Sequence, residues 1–210
     1  MGESAIVVAH NRPPTEVKMN TTETTKLHLF LTRGLAAIAW AVVFAAASHS
    51  VTTAVSVGVG ILLVVYPLID VVGSLVDART QSGSARQLLL ADAAVSAVAA
   101  VALGVAATGS IANVLAVFGV WAATSGAAQL ATALRRRAQL GNQWPMLLAG
   151  GFSIVAGITY IILSASNAPR LMPLVIYTVT GGIEFVIQAW LLARRRHQPA
   201  QPGGPVLSAS

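Results

Sequence analysis

Four ionisable side chains interrupt otherwise apolar stretches of this sequence: Arg33, Asp70, Asp92 and Glu184. A charge inside a bilayer costs at least about 3 kcal/mol when it is unpaired, so such residues point into the protein interior. One arginine among three carboxyl groups leaves an excess of negative charge, which would suit a proton or cation site. Alternatively, Arg33 forms a structural salt bridge with Asp70 or Asp92, and the other carboxyls are protonated or reach the interface. The second interpretation is favoured because it requires no transport.

The spacing of these four residues predicts that they share one level of the membrane. Each lies in its apolar stretch within a few turns of a basic residue near the end of that stretch. At a rise of 1.5 Å per residue, the separations are about 9 to 15 Å. The basic residues used as references are Lys26, Arg79, Arg86 and Arg194.

The elements that must position them are membrane-spanning helices. Of the 210 residues, 55% are hydrophobic and 10% are charged, whereas soluble domains carry about 25% charged residues. A bilayer core about 30 Å thick requires about 20 apolar residues per helix. Six runs meet this length, so the sequence predicts an all-α membrane protein with six transmembrane helices; four spans with re-entrant segments are the alternative. The runs are residues 26–47, 52–77, 87–108, 111–134, 145–165 and 171–193.

The connections between the runs predict three helical hairpins, at residues 26–77, 87–134 and 145–193. Breaks within each hairpin are short and uncharged apart from Arg170, whereas breaks between hairpins are basic. Of the 13 lysine and arginine residues, 12 fall on one side of the predicted membrane. This asymmetry places both termini in the cytoplasm. Residues 25–197 would form the membrane domain, and the polar segments 1–24 and 198–210 are predicted to be disordered.

The hairpins also repeat one pattern. The second helix of each hairpin contains an aromatic residue, and these residues are spaced by 55 and 56 positions: Tyr66, Trp121 and Tyr177. Each is followed four positions later by a small or polar residue. In the first helices, Arg33, Asp92 and Gly150 recur after 59 and 58 residues. A hairpin of this length used three times explains both series. The many small residues of the third and fourth runs predict that these two helices pack near the bundle centre.

This plan resembles the HdeD family of bacterial inner-membrane proteins. The resemblance covers residues 26–197 and is carried by Arg33-Gly34, by Trp121, Ser125 and Gly126 before the triplet at Arg135, and by Tyr177, Gly181 and Gly182 before the triplet at Arg194. The sequence departs from the family pattern at Pro67, at Val71 in place of glycine, at the alanine after Asp92, and in its turns. The resemblance implies a location in the bacterial inner membrane and a role in acid resistance, without an assigned biochemical activity.

Two further groups of residues are candidates for binding or sensing. His49, in the first outer turn, could titrate as external pH falls, although a lone histidine is more often a plain polar turn residue. The two basic triplets could bind anionic lipid head groups, although fixing the orientation of the chain is the simpler explanation. The triplets are Arg135, Arg136 and Arg137, and Arg194, Arg195 and Arg196.

The sequence carries no sign of catalysis. It contains no cysteine, which excludes disulfides and thiolate metal sites, and it has no phosphate loop, nucleophile elbow or paired metal-binding histidines. We therefore expect no enzyme activity, no cofactor, no metal and no nucleic-acid partner. The partners to expect are the bilayer, including anionic lipids, and a second copy of the chain or another membrane protein. The first hypothesis is that the protein acts as a structural or partner-binding factor in envelope stress or acid tolerance. The second is that it is a small proton-coupled transporter or channel that uses the intramembrane carboxylates.

Overall fold

The computed structural model describes residues 21–52, 54–140 and 144–196, and these residues form six helices and no strands. Each helix contains a segment long and apolar enough to cross a membrane. The predicted all-α fold with six spanning helices is therefore confirmed. The helices are α1 (Thr21–Ser48), α2 (Val57–Ala78), α3 (Gly83–Ala107), α4 (Ile111–Leu140), α5 (Trp144–Ser164) and α6 (Met172–Arg196).

Helix boundaries differ from the predicted runs at several ends. The α2 helix begins at Val57, five residues after the start of its apolar run, because the Ser56 hydroxyl accepts the Val59 amide at 3.4 Å and caps the helix. Val55, which the prediction placed in this helix, belongs to the connection, and both it and Val51 pack on the core. At the other ends, α1 begins at Thr21 and α4 continues to Leu140, beyond their apolar segments. Residues 1–20 and 197–210, which include most of the predicted terminal segments, lie outside the described residues.

The helices pack in a ring that joins successive hairpins. The most extensive contacts are made by α4 with α5, by α2 with α3, and by α1 with α6. Contacts within each predicted hairpin are smaller. The second helix of each hairpin therefore packs against the first helix of the next one, and the α1–α6 contact closes the ring.

Glycine permits two of these ring contacts. A Cβ atom added at Gly157 of α5 would lie 2.5 Å from the Gly119 carbonyl oxygen and 2.5 Å from the Ala123 nitrogen of α4. At Gly34 of α1, the added atom would lie 2.8 Å from the carbonyl oxygen of Gly182 in α6. Backbones this close gain dispersion contacts that replace the hydrophobic drive, which is absent between helices in lipid.

Neither α3 nor α4 has the predicted central position, because both are members of the ring, although α4 is the most buried helix. Half of the apolar segment of α4 is buried within the protein, whereas 28% of the α3 segment is buried, the same share as in α1, α2, α5 and α6. The prediction was wrong because small residues are not confined to the helix interfaces: Ala91 and Ala94 of α3 are exposed. Val98, Val101 and Val105 of α3 are about 70% exposed and face the lipid.

Candidate functional site

A cavity of about 340 Å³ lies between the six helices, and all of them contribute to its wall. It extends from the middle of the bundle toward the end that holds the α2–α3 connection and Arg79, Arg86 and Arg194, which we call the basic end. The structure brings together in this wall all four ionisable residues singled out from the sequence: Arg33, Asp70, Asp92 and Glu184.

Arg33 forms an ion pair with Asp70 that joins α1 to α2. Their side chains are 13% and 23% exposed, so the pair is mostly withdrawn from solvent. The Arg33 guanidinium carbon also lies 4.7 Å from the ring centroid of Phe185 in α6, a cation–π contact. Of the two partners that the sequence left open for Arg33, the structure selects Asp70.

The carboxylates of Asp70 and Asp92 are held by serines in a reciprocal arrangement between α2 and α3. Ser96 of α3 donates to Asp70 of α2 at 2.8 Å, and Ser74 of α2 donates to Asp92 of α3 at 2.8 Å. The Ser96 hydroxyl in turn accepts the indole N–H of Trp121 in α4 at 3.1 Å. A continuous polar network thus runs from α1 through α2 and α3 to α4.

Asp92 and Glu184 have no basic side chain as an ion-pair partner within the described part of the chain. Glu184 accepts a hydrogen bond from Gln188, one turn later on α6, at 2.9 Å. Both carboxyl groups therefore accept hydrogen bonds from neutral donors, whereas Arg33, the one arginine among the described residues of the cavity wall, is paired with Asp70.

Aromatic side chains form the base of the cavity. Tyr66, Trp121 and Tyr177, the repeated aromatics of the three second helices, line it. All three rings pack around Phe118, whose ring centroid lies 6.1 Å from that of Tyr66, 5.2 Å from that of Trp121 and 5.5 Å from that of Tyr177, which it meets edge-on. The Tyr66 and Trp121 centroids are 5.6 Å apart. Phe118 itself is fully buried. Because the rings fill the centre of the bundle, the cavity is closed toward the end opposite the basic end.

Of the remaining predicted site residues, His49 and Arg194 lie away from the cavity. His49 is exposed just after α1, at the end opposite the basic end, and its Nδ1 lies 2.7 Å from the Ala46 carbonyl oxygen. Arg194 is exposed at the end of α6, with its guanidinium carbon 3.9 Å from the Trp190 ring centroid. Side chains of the other triplet members, Arg135, Arg136, Arg137, Arg195 and Arg196, lie outside the described residues.

Several polar residues of the site were missed from the sequence, although a signal for them exists. Each buried carboxyl is followed four residues later by a polar side chain: Ser74 after Asp70, Ser96 after Asp92 and Gln188 after Glu184. Residues four apart lie on one helix face, so each of these polar side chains lies on the same face as its carboxyl. The spacing does not show that the serines serve the carboxyl of the neighbouring helix.

The fold and this cavity define a multi-pass integral membrane protein with a charged internal cavity that opens at one end. A family model described as a short repeat of unknown function (DUF308) matches residues 96–162. This family includes HdeD-like membrane proteins, and the matched residues run from Ser96 through Trp121 and Ser125 to the end of α5. No curated protein and no solved structure matches the chain.

Proposed function

We propose that this protein is a non-enzymatic, HdeD-like structural or partner-binding factor of the bacterial inner membrane that contributes to acid or envelope-stress tolerance. The observation that carries the structural part is the network from Arg33 through Asp70 and Ser96 to Trp121, which links four helices. The stress role rests on the family resemblance.

The network suits a structural role because its members satisfy one another. Asp70 receives Arg33 on one carboxylate oxygen and Ser96 on the other. A buried charge that is both paired and hydrogen-bonded fixes helix register, and here it joins helices of two different hairpins. The aromatic layer beneath it gives the bundle a closed centre, as a scaffold requires.

The stress role is tested by deleting the gene in its native host and measuring survival after acid challenge. We expect survival to fall and to be restored by the wild-type chain, but not by a chain carrying Arg33→Met. Arg170→Gln, a charge change at an exposed connection, is the control and should restore survival. Unchanged survival of the deletion strain would remove acid tolerance from the proposal.

A proton-coupled transporter or channel is the second candidate, and it is supported by the carboxyl groups of Asp92 and Glu184 in the cavity wall. Because aromatic rings close the base, transport would require a second conformation. In liposomes, the purified protein would then dissipate a pH gradient, and the triple variant Asp70→Asn, Asp92→Asn, Glu184→Gln would not. Equal dissipation by the two proteins, or none by either, refutes transport.

We further propose that the basic end faces the cytoplasm, with its arginine triplets near anionic lipids. The absence of native cysteine makes the orientation simple to test. Ser50→Cys and Ser84→Cys place single thiols at exposed positions at opposite ends of the bundle. In intact cells whose outer membrane has been made permeable, a maleimide that cannot cross the inner membrane should label position 50 and leave position 84 unlabelled until lysis. Labelling of position 84 alone would reverse the orientation.

A further inference from the structure

Among the described residues, the wall of the cavity carries more negative than positive charge, and its base is aromatic. We propose that it binds a small organic ammonium ion with an apolar body. The cationic group would lie beside Asp92 and Glu184, and the apolar body would lie against Tyr66, Trp121 and Tyr177. This inference goes beyond the proposed structural role and does not depend on acid tolerance.

The distribution of charge identifies the ligand as a cation. Arg33 is already engaged by Asp70 and by the face of Phe185, so its charge is compensated within the protein. Asp92 and Glu184 line the same cavity with neutral hydrogen-bond donors as their partners. An anion entering the cavity would meet these two carboxyls, whereas a cation would compensate them.

One buried hydroxyl in the wall has no partner. Ser125 is 9% exposed and lines the cavity, yet its Oγ makes no hydrogen bond within the described structure. Other hydroxyls of the same helix, those of Thr124 and Thr132, bond to helix carbonyls. Buried polar atoms are nearly always satisfied, so this oxygen is a free acceptor for an ammonium N–H.

The free hydroxyl lies at the level of Asp92. Trp121 and Ser96 are hydrogen-bonded across α4 and α3, which run in opposite directions. Ser125 is four residues after Trp121, and Asp92 is four residues before Ser96. Each is therefore displaced by one turn, about 6 Å, toward the basic end. An acceptor hydroxyl and a carboxyl thus occupy one layer of the cavity.

The shape and the lining of the cavity favour an organic cation over a metal ion. The described residues contain no group of three or more His, Cys, Asp or Glu side chains that could hold a metal, whereas Ca²⁺ takes about six to eight oxygen ligands. The volume of about 340 Å³ is at the lower end of small-molecule sites. Tyrosine and tryptophan rings at its base can contact an aromatic or aliphatic body and attract ammonium groups.

The test uses three probes of similar size with the purified full-length protein in lipid nanodiscs. They are benzyltrimethylammonium, its uncharged isostere neopentylbenzene, and the anion phenylacetate; binding is measured by calorimetry and by Trp fluorescence, with empty nanodiscs subtracted. We expect saturable binding of the cation alone. Saturable binding of phenylacetate or neopentylbenzene with equal affinity, or the absence of saturable cation binding, would overturn the proposal.

Variants locate the site. Asp92→Asn and Glu184→Gln should each weaken binding of benzyltrimethylammonium about tenfold or more, because each removes one partly screened charge near the ligand. Arg170→Gln, at the opposite end, should leave binding unchanged. If both carboxyl variants bind as the wild type does, the cation does not occupy this cavity and the assignment is wrong.

Ser125→Ala provides a test that does not rely on charge. Because the hydroxyl bonds to none of the described residues, the variant should fold normally. It should weaken binding of benzylammonium, which carries N–H donors, several-fold more than binding of benzyltrimethylammonium, which has none. Equal effects on the two ions would contradict the contact with Ser125. Acid survival and cation binding are separate measurements. Unchanged survival of the deletion strain would refute the stress role without affecting the binding results, and absence of cation binding would refute this inference without affecting the stress role.

Discussion

Replacing Arg33 with methionine should destabilise the bundle substantially, because it leaves Asp70 without its cation. Removing one partner of a buried pair costs about 3–5 kcal/mol. Side-chain exposures of 13% and 23% place this pair at the lower end of that range. Loss of the cation–π contact with Phe185 adds about 0.5–1 kcal/mol. The expected loss is therefore about 3–4 kcal/mol.

The measurement is the melting temperature of the detergent-purified protein. For a soluble chain of this length, 1 kcal/mol corresponds to about 2–4 °C, so Arg33→Met should melt about 10 °C lower than the wild type. The alkyl part of methionine retains much of the arginine packing, which makes charge removal the main change. Arg170→Gln is the control and should change stability by less than about 0.5 kcal/mol.

A double variant separates the ion pair from packing. Removing both charges with Arg33→Met and Asp70→Asn leaves no uncompensated charge, and so it should recover about half of the loss. The reasoning is refuted if Arg33→Met melts with the wild type, or if the losses of the two single variants simply add in the double variant.

Two further predictions concern packing and the hydroxyl network. Gly157→Leu should prevent α4 and α5 from packing and reduce the yield of folded protein, because the added Cβ would lie 2.5 Å from backbone atoms of α4. Gly58→Leu is the control and should be tolerated, because a Cβ at Gly58 has nothing within 4 Å. The yield of folded protein is measured by size-exclusion chromatography. Ser96→Ala should cost about 1–3 kcal/mol in the melting assay, because it leaves the buried indole N–H of Trp121 without an acceptor. Ser125→Ala, which removes a hydroxyl without a partner, is its matched control, and equal melting of the two serine variants would contradict the network.

The sequence predicted the spanning helices because a bilayer imposes a simple length rule. Apolar runs of about 20 residues are needed to cross it, and six such runs are visible without any knowledge of packing. Helix ends were less predictable. The start of α2 depends on the Ser56 cap, a local hydrogen bond that the run of apolar residues conceals.

The small residues of α3 show why packing could not be predicted from composition. Alanine and serine permit close approach of helices, but they do not select which face is used or which neighbour is approached. The close approaches seen at Gly157 and Gly34 join α4 to α5 and α1 to α6. Contacts between successive hairpins, and not within them, dominate the ring.

By itself, the sequence determined that Arg33, Asp70, Asp92 and Glu184 belong at one level of the membrane, because the helix rise and the positions of the flanking basic residues fix the depth of each. Only the tertiary structure decided which groups meet. The rotation of each helix about its own axis determines which side chains become partners, and the depth of a residue in the membrane does not reveal that rotation. It paired Arg33 with Asp70 and placed Asp92 and Glu184 in a shared cavity beside neutral donors. It also left the hydroxyl of Ser125, a residue of the cavity wall, without a partner among the described residues.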